Sequence, residues 1–217
     1  MNLRGAVHAS SVQRERAEPE SNRRTLSAAT RWHGGGRDEA AGTASGTPQR
    51  PTTMANTKTL TELAVASTAF KDGAPIPVQF TCDGADESPP LTWPDAPDNA
   101  ASYALIVEDP DAPGGTFIHW VLYDLPATTH ALPRGVPTDE SLSSPAGAKQ
   151  GKNSFKKIGY GGPCPPKGKP HHYHFILFAL DKSLGLPPGA SRDQVVDAMR
   201  GHEIARGEVV GTYARKG

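Results

Sequence analysis

Large side chains are scarce: aromatic residues make up 6% of 217 positions, and Trp32 is the only one in the first 54. A stretch dominated by Ala, Ser, Thr, Gly and Arg cannot bury enough apolar surface to offset its chain entropy, so residues 1–54 read as a disordered extension. Met54 reads as a second, more ordinary chain start, which places the folded domain at residues 55–217. A charge excess is also lacking. The 23 basic and 23 acidic side chains cancel, which removes whole-chain basicity as a ground for nucleic-acid binding. No apolar run reaches about 18 residues, so no helix is expected to span a membrane. Nor is there a run of about 7 to 15 apolar residues behind a basic start, as a secretory signal requires. Glu15, Glu18, Glu20, Asp38 and Glu39 argue against an acid-poor transit peptide. Cysteine is limited to Cys82 and Cys164, without CxxC spacing, which excludes a disulfide scaffold and a thiolate metal cluster. The bland reading, two buried or pocket-side thiols in a reducing cytoplasm, is favoured. A bridge stays open, because both cysteines lie in loops rich in Gly and Pro.

What is present is unevenly distributed. Residues 1–54 hold eight Arg against five acids, and residues 55–217 hold 15 Lys and Arg against 18 acids. Within the domain, Asp72 to Pro133 contains ten acids and no Lys or Arg. Ser141 to Pro170 contains six Lys and no acid. The split suggests lysine-bearing loops folding over an acidic half, although two solvated surfaces of opposite sign explain it as well. A mildly acidic domain without a basic amphipathic helix is expected to make at most peripheral membrane contact.

The domain reads as β-structure separated by long loops. SYALIVED (102–109) alternates, with Tyr103, Leu105, Val107 and Asp109 on one face and Ala104 and Ile106 on the other. In FIHWVLYDL (117–125), strict alternation puts Phe117, His119, Val121 and Tyr123 together, opposite Ile118, Trp120 and Leu122. HHYHFILFAL (171–180) is apolar on both faces beyond His174, as a central strand should be. EVVGTY (208–213) is a fourth strand. One helix is expected over 192–200, with Ser191 as its cap, Gln194 completing a capping box and Gly201 ending it.

Polar groups gather where strands meet loops. Asp109 and Asp111 frame DPDAPGG after the first strand, with a proline between them restricting the backbone. His119 stands near the start of the second strand. His171 and Tyr173 open the third on one face, because residues i and i+2 point the same way. If these strands are neighbours, Asp109, His119, His171 and Tyr173 converge at one end of a sheet. Together with loop amides from Gly161 and Gly162 they would form an oxyanion site, the carboxylate orienting an imidazole that donates to phosphate.

The runs FTCDGADESPPLTW (80–93), DPDAPGGTFIHWVLYDLP (109–126) and GYGGPCPPKGKPHHYHFILFALD (159–181) resemble the phosphatidylethanolamine-binding protein family, in its bacterial Raf-kinase-inhibitor-like branch. The resemblance covers approximately Leu60 to Arg215 and none of the first 54 residues. It implies a Greek-key β-sandwich of two antiparallel sheets with a few peripheral helices, and a pocket for phosphate, acetate or phospho-headgroups. Asp109, Asp111, His119, Gly161, Gly162, His171 and Tyr173 match that pocket's residues. His172 stands where eukaryotic members carry Arg, which weakens any transfer of kinase inhibition. The resemblance also implies a homodimer.

Competing motifs are weaker. HGGG (33–36) lies in the extension, and no GxSxG supplies a nucleophile. GAKQGKN (147–153) is one residue short of a phosphate-binding loop, and Asn153 replaces its Ser or Thr. His172 and His174 face away from His171, which argues against a metal site. Asp109, Asp111, His119 and His171 could serve phosphoester hydrolysis, but no activated nucleophile accompanies them. The sequence therefore points to a cytoplasmic, non-catalytic binder of small anions or phospho-headgroups, without metal or cofactor. It is expected to modulate or inhibit a partner enzyme, a protease or a kinase.

Overall fold

The computed structural model describes residues 59–216, so the expected extension over residues 1–54 and the domain start at residue 55 lie outside the described residues. Within that range the chain forms β1 (Thr61–Glu62), β2 (Ala66–Ser67), β3 (Leu91–Thr92), β4 (Ser102–Asp109) and β5 (Phe117–Pro126). It continues through β6 (Ala131–Leu132), β7 (Lys149–Gln150), β8 (His171–Leu180), α1 (Arg192–Met199) and β9 (Glu203–Tyr213). A single 3-10 turn spans Val78–Phe80.

The strands make two sheets, one ordered β1-β9-β8-β4-β5-β7 and one ordered β2-β3-β6. β8 returns to lie beside β4 after the chain has passed through β5 and β7, which is the Greek-key order. The large sheet is not purely antiparallel, because β1 runs parallel to β9 through Thr61 and Glu62. Alternation along β4 splits its apolar side chains between two layers. Tyr103, Leu105 and Val107 join Leu91 and Leu132 of the small sheet, and Trp93 just beyond β3, in the core between the sheets. Ala104 and Ile106 instead pack with Val195 and Met199 of α1 on the outer face. The helix begins as its sequence dictates: Ser191 Oγ accepts from Gln194 N, and Gln194 Oε1 accepts from Ser191 N.

β5 departs from strict alternation. Trp120 and Leu122 enter the core between the sheets while Val121 and Tyr123 enter the helix-side core. Val107 pairs with Trp120 and Glu108 with Ile118, leaving His119 as an extra residue, a β-bulge. His119 and Trp120 therefore project to the same side, which corrects the face expected for Trp120 and Leu122. The residues before β7 are tied to this strand by Gln150, which is fully buried. Its Oε1 accepts from Trp120 Nε1 at 2.7 Å, and its Nε2 donates to the carbonyls of Pro137 and Asp139, each at 2.7 Å.

Two expectations change. Cys82 and Cys164 are joined in a disulfide, so the two-thiol reading is overturned. The bridge forms because the loops meet: Cys82 N donates to Pro163 O at 3.1 Å, and Tyr160 Oη donates to Phe80 O at 2.8 Å. The lysine-rich stretch packs against the acidic half, but its lysines pair with an acid there at one residue. Lys149 Nζ pairs with Asp124 at 3.1 Å, and among the described residues the other five lysines of the stretch form no ion pair. Among the described residues no helix is long and apolar enough to cross a membrane.

Candidate functional site

β8, β4 and β5 are adjacent, so the end of β4 and the starts of β5 and β8 meet at one end of the large sheet. Asp109, the last residue of β4, is 3% exposed. Its Oδ1 accepts from Asp111 N at 2.8 Å, a side-chain turn that the intervening Pro110 favours. Its Oδ2 accepts from His171 Nδ1 at 2.8 Å, which leaves His171 Nε2 turned away from the carboxylate.

The bulge aims His119 into the same region. The ring is 3% exposed, and Nδ1 donates to Gly161 O at 2.6 Å. Burial pushes this imidazole below its ordinary 6.5, with the Gly161 carbonyl and the Asp109 carboxylate opposing that shift. Tyr173 lies edge-on to His119 with ring centroids 5.1 Å apart. Its phenol oxygen is buried without a well-formed hydrogen bond, although the Asp109 carboxylate lies close enough to act on it. Burial, reinforced by Asp109, holds its pKa far above the ordinary value, so it remains a neutral donor.

Asp109, His119, His171 and Tyr173 form the polar floor of a cavity of about 250 Å³. The walls are apolar. Phe117 contacts both His119 and Phe155, at centroid distances of 5.1 and 4.8 Å, and Pro113, Cys164, Pro165 and Pro166 complete the rim. The arrangement offers a few hydrogen-bonding groups in an otherwise apolar depression, as small-ligand sites do. Among the described residues no group of His, Cys, Asp and Glu is placed to hold a metal ion.

Three other candidate residues lie outside the cavity lining. Asp111 accepts from His172 N and His172 Nδ1, at 2.8 and 2.7 Å, and these bonds lower its carboxyl pKa. It fastens the DPD turn to the start of β8 from outside. The expectation of free amides at Gly161 and Gly162 does not hold. Gly161 N donates to His119 O at 3.0 Å, and Gly162 N donates to Asp86 Oδ1 at 2.6 Å. Both glycines act through close packing instead: a Cβ on Gly162 would lie 2.5 Å from Phe80 O. Residues missed from sequence were Phe155, which lines the cavity, and Asp86, which holds the Gly162 amide. Cys164 lines the cavity, as a pocket-side cysteine would, whereas nothing in the sequence marks Phe155.

The sequence profile of the family described as "Phosphatidylethanolamine-binding protein" matches residues 66–214. The chain is 48% identical over 151 residues to the UPF0098 protein PH1269 of Pyrococcus horikoshii, covering 69% of this chain and 76% of that one. It is 45% identical over 152 residues to the putative lipoprotein LppC of Mycobacterium tuberculosis, covering 70% and 72% respectively. Among solved structures it is similar to YbcL of Escherichia coli, with a TM-score of 0.67, 36% identity, and coverage of 71% of this chain and 99% of that one. The phosphatidylethanolamine-binding protein homologue CT736 of Chlamydia trachomatis gives a TM-score of 0.65 and 39% identity, with coverage of 71% and 99%. With most of its described residues inside the profile match, and with relatives this similar over most of their own length, the chain belongs to the phosphatidylethanolamine-binding protein family.

Proposed function

We propose that this protein binds a small oxyanion or phospho-headgroup in the cavity floored by Asp109, His119, His171 and Tyr173, and acts through binding. The observation that carries the reading is the Tyr173 phenol, a buried donor without a well-formed hydrogen bond, set beside two imidazoles. A buried polar group left unpaired costs free energy that a bound acceptor recovers. Hydrolysis is less well supported, since Asp109 is committed to two hydrogen bonds and the Cys164 sulfur to Cys82. The cavity lining also contains no Ser or Thr hydroxyl to serve as nucleophile.

The apolar rim of Phe117, Phe155 and prolines suits contact with a partner protein, a protease or kinase whose activity the ligand state would modulate. As to compartment, the Cys82–Cys164 bridge fits an oxidising environment better than a reducing cytoplasm. The test is thermal stability with phosphate or phosphoethanolamine. Saturable stabilisation is expected in the wild type and is expected to disappear in His119→Ala and His171→Ala. A flat response across both ligands would overturn the reading.

A further inference from the structure

One wall of the cavity is a short strap, residues 164–170, that runs from Cys164 through Pro165 and Pro166 and leads directly into His171. Three of its seven residues are prolines, which have no N–H to give, so it can make few backbone hydrogen bonds. Among the described residues its backbone is tied to the rest of the fold by one isolated bridge, Lys167 to Arg215, and Pro165 adds a buried apolar contact. The strong attachment is covalent, through Cys164 to Cys82. Cys82 stands on a loop that is itself held fast. Phe80 is buried and its carbonyl accepts from Tyr160 Oη at 2.8 Å, while Asp83 accepts from Tyr213 Oη at 2.8 Å and pairs with the Arg215 guanidinium at 3.0 Å.

The cavity floor does not depend on the strap. Asp109 and His171 hold each other at 2.8 Å, His171 pairs with Tyr213 in the β8–β9 register, and Gly161 O fixes His119 from the other side of the disulfide. We propose that the Cys82–Cys164 bridge is a redox-operated latch on this wall: oxidised, it holds the strap against the cavity; reduced, it releases residues 164–170 while the sandwich stays folded. Cys164 is exposed and Cys82 half-buried, so a reductant reaches the bridge from the Cys164 side. A dithiol's thiolate attacks Cys164 Sγ, the S–S bond breaks, and Cys82 leaves as a thiolate and takes up a proton. The reductant's second thiol loses its proton and attacks the reductant's own sulfur in the mixed disulfide, and Cys164 leaves as a thiolate and is protonated in turn. Two electrons pass from the dithiol, which ends as a disulfide, and two thiols remain on the protein. With the wall released, water reaches the polar floor and weakens the electrostatic contacts that a ligand makes there. This consequence for binding rests on the proposed anion site, whereas the release of the strap does not.

The experiment is limited trypsin digestion of the full chain, untreated and after dithiothreitol, with cleavage at each lysine followed by mass spectrometry. Lys167 precedes Gly168 and is open to trypsin, whereas Lys169 precedes Pro170 and is not. Reduction should speed cleavage after Lys167 about tenfold or more, because cleavage follows the population of the opened segment. Lys71 and Lys182, exposed and outside the strap, should keep their rates. Calorimetric titration with inorganic phosphate should show about tenfold weaker binding after reduction, as for a closed wall present about a tenth of the time. Cys82→Ser with Cys164→Ser should behave as the reduced protein with or without dithiothreitol, and should that variant fail to fold, the reduced wild type decides the matter. Unchanged cleavage after Lys167 overturns the latch, and so does equal acceleration at all three lysines, which marks unfolding of the whole domain. Selective release with unchanged phosphate affinity overturns the gating of the cavity. No phosphate binding in either state overturns the anion site, and the latch then stands or falls on the cleavage pattern.

Discussion

The last residue of β4 and the first of β8, Asp109 and His171, are joined by a hydrogen bond of 2.8 Å although 62 positions separate them. The same carboxylate holds the Asp111 amide, so one side chain sets both the DPD turn and the orientation of a pocket imidazole.

Asp109→Asn keeps the shape but replaces one acceptor oxygen with a donor. One of its two partners is then left unpaired. A loss of about 1–3 kcal/mol in denaturant unfolding is expected, together with a reduced thermal response to phosphate. An undiminished phosphate response would show that the carboxylate does not orient His171.

Stability should depend on pH through His119. Its folded value is depressed below 6.5, so the unfolded chain takes up a proton that the folded chain refuses. Protons then favour the unfolded state, and stability falls as pH drops from about 7 to about 5. Asp111, lowered by His172, loses its contribution only below the ordinary carboxyl range, outside this window. Midpoint temperatures measured across the window should show a shallower slope in His119→Gln than in the wild type. Parallel slopes would assign the effect to another group.

The disulfide closes a span of 82 residues. Cross-links of this kind contribute about 2–4 kcal/mol by restricting the unfolded chain. Cys82→Ser with Cys164→Ser should lower the unfolding midpoint accordingly. A reductant should destabilise the wild type and leave the double variant unaffected. If reductant shifts both equally, the bridge is not the cause.

Gly161 and Gly162 should respond differently to the same added methyl group. At Gly162 it meets backbone atoms of Phe80 and Thr81 at 2.5 and 2.8 Å, and at Gly161 the ring of Phe155 at 2.7 Å. A ring at the cavity mouth can turn aside, whereas two backbone segments tied by a disulfide cannot. Gly162→Ala is expected to cost about 1–3 kcal/mol. Gly161→Ala should be milder in chemical denaturation and should act chiefly by moving Phe155. Comparable losses would contradict that distinction.

The sequence revealed the long strands and the helix because each carries enough residues for its period to show. β4 keeps Tyr103, Leu105 and Val107 opposite Ala104 and Ile106, as alternation requires. Two-residue strands such as β2, β3 and β6 are too short for any period, so the small sheet was unreadable. The convergence of Asp109, His119, His171 and Tyr173 was legible from strand ends. The bulge was not, since one extra residue at position 119 is fixed by pairing with β4 and leaves no mark in composition. The amides of Gly161 and Gly162 were misjudged because their partners, His119 O and Asp86, come from distant segments.

The bridge between Cys82 and Cys164 also sorts the pocket's residues by covalent topology. Asp109 and His119 lie inside the closed loop, and His171 and Tyr173 lie beyond it. A protease cutting anywhere between the two cysteines, for instance at exposed Lys156 or Lys157, produces two fragments that stay joined through sulfur. Such a nicked molecule keeps both halves of its pocket together and comes apart on a gel only after reduction.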